Sequence, residues 1–389
     1  MKKIAILILL IITGSLPFVF SSELLFNGFV RNYTGIELSQ DPDLSIVQNT
    51  FDLDLTYYGE KTAFLVHPVM SQNMDKTLDI ALREAYIDLF FNKVDVRIGK
   101  QQIIWGKSDG IFITDVVSPK DLREFILPDF NEIRIGVTGI KTDYYKGNAT
   151  FEFIWLPVFT PNILPDPASR WNLTHTDFST SSDSIDMSIE NSEVFGRTAF
   201  YTPEADLELI CGYMWDDEPT PVSPSTFTHH RLGIVGGSVS TDFKGFVFRS
   251  EGAYYIGKYF MNTVGAPPER KDYIHYLVGV NYNLNGWTLS SQFIQKVIMD
   301  YDASLASPHI TNSLTFLAGK DFFDNLLRFE VFTYFGFNDL NGLVRPKLSY
   351  SLTDDVNLLI GANLFFGSSG TFGQYDDNDM VYAKIKLSF

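Results

Sequence analysis

The chain has 389 residues, a formal net charge of −17 and one cysteine, Cys211. So acidic a protein repels nucleic acid, which is excluded as a partner, and a lone cysteine rules out disulfides within the chain. Aromatic residues are abundant, with 34 Phe, 19 Tyr and 5 Trp, an excess that suits membrane–water interfaces.

At the N-terminus, Lys2 and Lys3 precede an apolar stretch from Ile4 to about Phe20, followed by Ser21 and Ser22. This is the layout of a secretory signal, here predicted over residues 1–22, with one domain over 23–389. The stretch is interrupted by Gly14 and Pro17 and falls short of the roughly 20 apolar residues of a spanning helix. No cysteine sits at the junction to carry an acyl anchor.

From there to the last residue, apolar and polar positions alternate with period two. Phe51, Leu53, Leu55 and Tyr57 alternate with Asp52, Asp54 and Thr56; Leu327, Phe329, Val331, Thr333 and Phe335 alternate with Arg328, Glu330, Phe332 and Tyr334. Eighteen strands are predicted at about 24–33, 50–58, 61–69, 79–91, 93–104, 132–144, 148–157, 193–201, 205–215, 228–241, 244–256, 272–283, 286–298, 310–319, 325–336, 342–352, 355–366 and 378–389, with a count of about 16 as the alternative. Many have nine or more residues, the roughly 9–11 needed to cross a bilayer at a tilt rather than the roughly 5–6 of a globular strand. In the clearest strands one face carries no charge, as lipid contact demands: Arg or Lys at the bilayer midplane costs roughly 2–4 kcal/mol.

Connections alternate between tight turns, such as Phe91-Asn-Lys93, Asn283-Leu-Asn-Gly286 and Thr353-Asp-Asp355, and mostly longer loops, the longest spanning 104–131 and 158–192. Short turns on one rim and longer loops on the other describe a transmembrane, antiparallel, up-and-down all-β barrel with both termini on the periplasmic side. At 16–18 strands such a barrel is wide enough for an aqueous channel.

Parity assigns to the lumen Arg97, Arg134, Arg197, Arg249, Arg328, Arg345, Lys347, Lys384 and Lys386, together with Glu84, Asp88, Glu251 and Glu330. As a functional set they make a polar pathway whose transverse field orders solutes, the arginines offering bidentate contacts to anions or sugar oxygens. As a structural set they pair across strands and stiffen the wall. Arg345, Lys347, Lys384 and Lys386 have few acids close in sequence and are the best candidates for an uncompensated basic strip.

The final strand, Met380 to Phe389, sets Val381, Ala383, Ile385, Leu387 and Phe389 on one face and Tyr382, Lys384, Lys386 and Ser388 on the other. Its terminal aromatic resembles the assembly signal of bacterial outer-membrane β-barrels. Within the long connection, Arg97-Ile-Gly-Lys-Gln-Gln-Ile-Ile-Trp105-Gly-Lys-Ser-Asp109-Gly and Ile113-Thr-Asp-Val-Val-Ser-Pro119, with Trp155-Leu-Pro-Val-Phe-Thr-Pro161 beyond, resemble a group of outer-membrane barrels of largely uncharacterised role, similar in plan to alginate-export and other substrate-selective porins. The resemblance implies an outer-membrane location and transport or export through a lumen, without transferring a substrate.

Ser118-Pro-Lys-Asp-Leu-Arg-Glu124 predicts a short helical turn with Ser118 as N-cap and Pro119 at the first helical position. Folded into the channel, this loop would screen solutes with Asp109, Asp115, Lys120, Arg123 and Glu124; packed over the outer mouth, it would be a lid. Two other functions compete with a channel. A surface adhesin would use the Pro-rich and Ser-rich loop 158–192 over a closed lumen. An enzyme would need one of His67, His175, His229, His230, His275 or His309 beside a Ser or acid, and no catalytic set can be assigned. The expected function is a porin-like channel for passive diffusion or export of small polar or anionic solutes. Its expected partners are outer-membrane lipid, the barrel-assembly machinery and the solute, with no metal or cofactor and the oligomeric state left open.

Overall fold

The computed structural model describes residues 23–39, 42–178, 185–223, 226–263 and 266–389; the predicted signal lies outside them. In chain order the strands are β1 (Glu23–Glu37), β2 (Leu44–Tyr58), β3 (Thr62–Gln72), β4 (Leu78–Phe90), β5 (Val94–Gln101), β6 (Val137–Lys146), β7 (Ala149–Leu156), β8 (Glu193–Tyr201), β9 (Asp206–Trp215), β10 (Thr220–Ser223) and β11 (Thr226–Thr228). They continue as β12 (Arg231–Phe243), β13 (Phe246–Phe260), β14 (Glu269–Leu284), β15 (Trp287–Ile298), β16 (Ile310–Phe322), β17 (Leu327–Gly336), β18 (Asn341–Ser351), β19 (Val356–Phe366) and β20 (Met380–Ser388). Strands β10 and β11 form a separate hairpin in the β9–β12 connection; the other 18 form one sheet of antiparallel neighbours.

The sheet closes on itself because β1 pairs with β2 on one side and with β20 on the other, in a register that sets Val30 opposite Leu387. Closure removes the free edges that an open sheet would present to lipid. All 18 strands predicted from alternation are present. The turns follow local chemistry: Asn285 (φ 50) and Gly286 (φ 82) supply the two left-handed residues of a tight hairpin.

Parity is kept along the last strand. Val381, Ile385, Leu387 and Phe389 face outward and exposed, whereas Tyr382 on the same strand is buried. Beside the tight turns, Phe91, Phe243 and Phe323 are exposed, as an aromatic rim at the level of the interface requires.

Two of the boundary shifts bear on the site. Strand β5 stops at Gln101 and β6 starts only at Val137. Beyond Gln101 the peptide N–H of Gln102 donates to the Glu84 carboxylate (2.7 Å) and that of Ile103 to the Ser118 hydroxyl (2.8 Å). These side chains outcompete a strand ladder and turn the chain inward. Arg134 therefore belongs to the loop and not to the barrel wall, correcting its predicted place on a strand. Ser118 is likewise no helix cap; the helical residues of the loop are Phe130–Ile133, and the nearer turn, at 123–126, carries a hydrogen bond from Phe125 N–H to the Leu122 carbonyl (2.9 Å).

Candidate functional site

The inner loop, residues 102–136, runs through the barrel interior and is held by apolar packing and by polar anchors. Ile103, Trp105, Ile113, Val116 and Val117 pack in one buried cluster with Ile154 and Leu156 of β7, Phe195 of β8, Ile210 of β9, Ile234 of β12, Leu277 of β14 and Ile294 of β15. One side of the lumen is thus a dry core between loop and wall. Each such side chain removed from water contributes about 1.5–3 kcal/mol. Trp105 meets Phe195 edge to face with centroids 6.0 Å apart, and its indole N–H donates to the Glu152 carboxylate.

Polar anchors tie the loop to the wall. Glu251 accepts from the Thr114 peptide (2.7 Å), the Thr114 hydroxyl (2.8 Å) and the Lys107 peptide (3.0 Å). Arg249 donates to the Asp109 carboxylate (2.8 Å) and the Lys107 carbonyl (2.7 Å), while Gln292 holds the Asp109 backbone through both of its amide atoms (2.7 and 3.1 Å). Within the loop, Arg134 grips Asp115 (2.6 Å) and Lys120 donates to the Asp115 carbonyl (3.0 Å). At Gly110 (φ +83) a Cβ would lie 2.4 Å from the Phe332 ring, so only glycine brings the loop against β17, where the Tyr334 hydroxyl donates to the Gly110 carbonyl (2.9 Å).

A cavity of about 530 Å³ lies between the loop and the wall of β1–β4 and β20. Charges of both signs line it from each side: Arg31 of β1, Asp79 and Arg83 of β4 and Lys384 of β20 from the wall, and Asp121, Arg123, Glu124, Glu132 and Arg134 from the loop. Arg31 donates to Glu132 (2.6 Å), and Lys347 of β18 lies 3.7 Å from Asp129 of the loop. Arg345 donates to the Ile126 and Leu127 carbonyls (3.4 and 2.5 Å), locking the loop to β18. Lys384 sits over the Tyr33 ring at 4.6 Å, and Lys386 over Phe29 at 4.5 Å; among the described residues neither has an ion pair.

The loop carboxylates respond differently to this setting. Burial raises the Glu124 pKa, with Lys384 opposing. At Asp129 burial also pushes upward, but Lys384, Lys347, Arg345 and Arg31 outweigh it and hold the pKa below the usual value. As pH falls from neutrality, Glu124 is therefore the first of the two to take a proton, and the passage loses negative charge while Asp129 keeps its own. Anion preference is expected to rise on acidification, and Glu124→Gln to flatten that rise; a reversal-potential titration reads both, and an identical titration in wild type and Glu124→Gln would remove Glu124 from the passage.

The second long loop docks on the first. Ile163 bridges Asp121, and the Asn162 side chain accepts the Lys120 N–H (2.7 Å). Further on, Trp171 stacks on Phe125 at 6.1 Å beside Phe365, Phe372 and Tyr375, and Arg170 pairs with Glu37 at 2.5 Å. The start of this loop stays half-buried to exposed, Ile163 among the exposed residues, while docking on the inner loop.

Several predicted lumen residues meet structural partners. Arg97 chelates Asp88 (2.7 and 2.9 Å), Arg328 pairs with Asp321 and Glu330, and Arg197 pairs with Glu152 and Glu208. Arg123 is held by Asp121 and Asp79. Arg31 and Arg83 are among the cavity residues absent from the predicted set. Arg31 was legible, because it alternates with exposed Val30. Arg83 was not: a bulge where His67 faces Glu84 and Pro68 faces Leu82 adds one residue to β4, so Arg83 and Glu84 both serve the interior and simple parity fails.

A closed barrel of 18 antiparallel strands, oily outside and lined by a folded-in loop, is an outer-membrane barrel of the porin type. The chain belongs to the family described as a protein of unknown function, DUF1302, whose model matches residues 54–389. Solved structures with the same fold include OccAB1 of Acinetobacter baumannii (TM-score 0.60, 12% identity, covering 96% of this chain and 97% of that one). OccK2 (OpdF) of Pseudomonas aeruginosa, in complex with glucuronate, is also similar (0.58, 12%, 94% and 97%), as is OmpF of Salmonella typhi in complex with daunomycin (0.51, 8%, 94% and 97%). At these identities the likeness is one of fold. No curated protein matches the sequence.

Proposed function

We propose that the protein is a passive channel for small polar or anionic solutes, which cross the outer membrane through the charged passage between inner loop and wall. The observation that carries this reading is a cavity between inner loop and wall lined by charges of both signs, with Lys384 on the wall side facing Glu124 on the loop side. Charges facing each other across a narrow low-dielectric gap set up a field transverse to the path. A solute with a carboxylate and hydroxyls orients in that field, its anionic end toward Lys384, whose ammonium lies over the Tyr33 ring and has no ion pair among the described residues. Direction of flow comes from the solute gradient. OccK2 in complex with glucuronate makes a sugar acid a reasonable first probe.

The purified protein in planar bilayers should give steady conductance, and Lys384→Glu should lower the anion-to-cation permeability ratio several-fold in a salt gradient. A closed wall, with no conductance in any salt, would instead favour an adhesin. An unchanged ratio in Lys384→Glu would remove the field from the account.

A further inference from the structure

Strand β4 lacks a partner along half its length. It pairs with β3 over Leu78–Leu89 but with β5 only over Ala85–Phe90, because the chain beyond Gln101 has turned inward. On that side Leu78–Glu84 form a free edge among the described residues. The same stretch carries Leu78, Ile80 and Leu82 exposed on the outer surface, in line with the lipid-facing row of its neighbour, where Ile80 lies opposite exposed Met70. A sheet edge at hydrocarbon depth is tolerated only where protein covers it or it fronts a water-filled cavity.

Here it fronts the cavity described above. Asp79, Ala81, Leu82 and Arg83 line that cavity from the edge, Ile163 from the outer loop and Lys384 from the opposite wall. The cover is thin. At its lower end Gly136 lies against the Arg83 carbonyl, 2.4 Å from where a Cβ would stand. At its upper end one ion pair, Arg123 to Asp79 at 3.3 Å with both side chains nearly half exposed, spans the slot.

We propose that this slot is a lateral port between the charged passage and the outer leaflet, and that its ligand is an amphiphile with one anionic head and an apolar tail. The head is held in the passage at Lys384, and the tail leaves past Ala81, Leu82 and Ile163. The proposal rests on the reading of the barrel as a channel and adds to it a substrate class and a second exit. The Arg123–Asp79 pair is the latch: exposed pairs of this kind are worth about 1 kcal/mol or less, weak enough to open thermally.

The test uses proteoliposomes of the full barrel and two probes, fluorescent dodecyl sulfonate and tailless methanesulfonate. Leu82→Trp narrows the slot while staying apolar toward lipid. It should slow dodecyl sulfonate entry about tenfold relative to methanesulfonate entry, equivalent to ~1.4 kcal/mol between the two barriers. Arg123→Ala should speed dodecyl sulfonate entry several-fold. Wild-type dodecyl sulfonate entry in Leu82→Trp, with methanesulfonate flux intact, overturns the port and leaves the channel standing. Neither probe crossing in the wild type overturns both. If Leu82→Trp does not assemble, an unchanged dodecyl sulfonate rate in Arg123→Ala overturns the port by itself.

Discussion

Excision of residues 107–124 is expected to raise single-channel conductance several-fold and to weaken ion selectivity. The deleted segment holds Ile113, Val116 and Val117 of the internal core, the anchors of Arg249 and Glu251, and the cavity residues Asp121, Arg123 and Glu124. Its loss widens the path and removes part of the transverse field. The wall persists, since the strand ladders of β5 and β6 lie outside the deletion. Its melting temperature should nevertheless fall, because Ile154, Ile234, Leu277 and Ile294 would then face lumen water, at about 1.5–3 kcal/mol for each side chain fully exposed. Ile113→Asp makes the same test without shortening the chain. Ile113 is fully buried, and a carboxylate there has no partner, so the loop should be expelled from its seat. Unchanged conductance and selectivity in the deletion would remove the constriction reading and leave the loop as internal stiffening.

Removal of Phe389 is expected to reduce the assembled barrel in the outer membrane to a small fraction of the wild-type amount. The terminal residue closes the cylinder: its N–H and carbonyl exchange hydrogen bonds of 3.0 Å with Gly28, and its ring stacks on Phe51 at 6.2 Å on the lipid face. A Cβ on Gly28 would stand 2.9 Å from that ring, so the glycine makes room for the aromatic. Phe389→Ala keeps both backbone bonds and loses the ring, and should assemble at an intermediate level, whereas Phe389→Tyr should approach wild type. Those outcomes fit the proposal that the terminal aromatic is read by the barrel-assembly machinery. A heat-modifiable band of wild-type intensity from Phe389→Ala would detach the ring from assembly and leave it a contact of the finished wall.

Strand number, the lipid face and the placement of turns were legible because each depends on residues adjacent in sequence. Period-two alternation is a local property, and an Asn-Gly pair specifies its turn wherever it occurs. The basic residues at 345, 347, 384 and 386 were legible in the same way, as positions of known parity. Their neighbours were not. Asp129, beside Lys347, is more than two hundred residues away along the chain and arrives only because the inner loop crosses the lumen. The apolar half of the interior left a trace that went unread: Ile210 and Met214 fall at inward positions beside Asp206 and Glu208, and a strand apolar on both faces signals that something dry covers the inner one.

The amino-acid sequence by itself thus determined an amphiphilic antiparallel barrel and its strand number. Tertiary structure alone decided which charges are spent on one another and which face the path. That division has a physical cause. Alternation requires only that each residue choose lipid or interior, whereas the fate of an interior residue depends on what meets it there. Glu251 is buried by Thr114, 137 positions away, Arg134 leaves the wall because Gln102 and Ile103 find side-chain acceptors, and Arg83 reaches the interior through a bulge that no period-two pattern records.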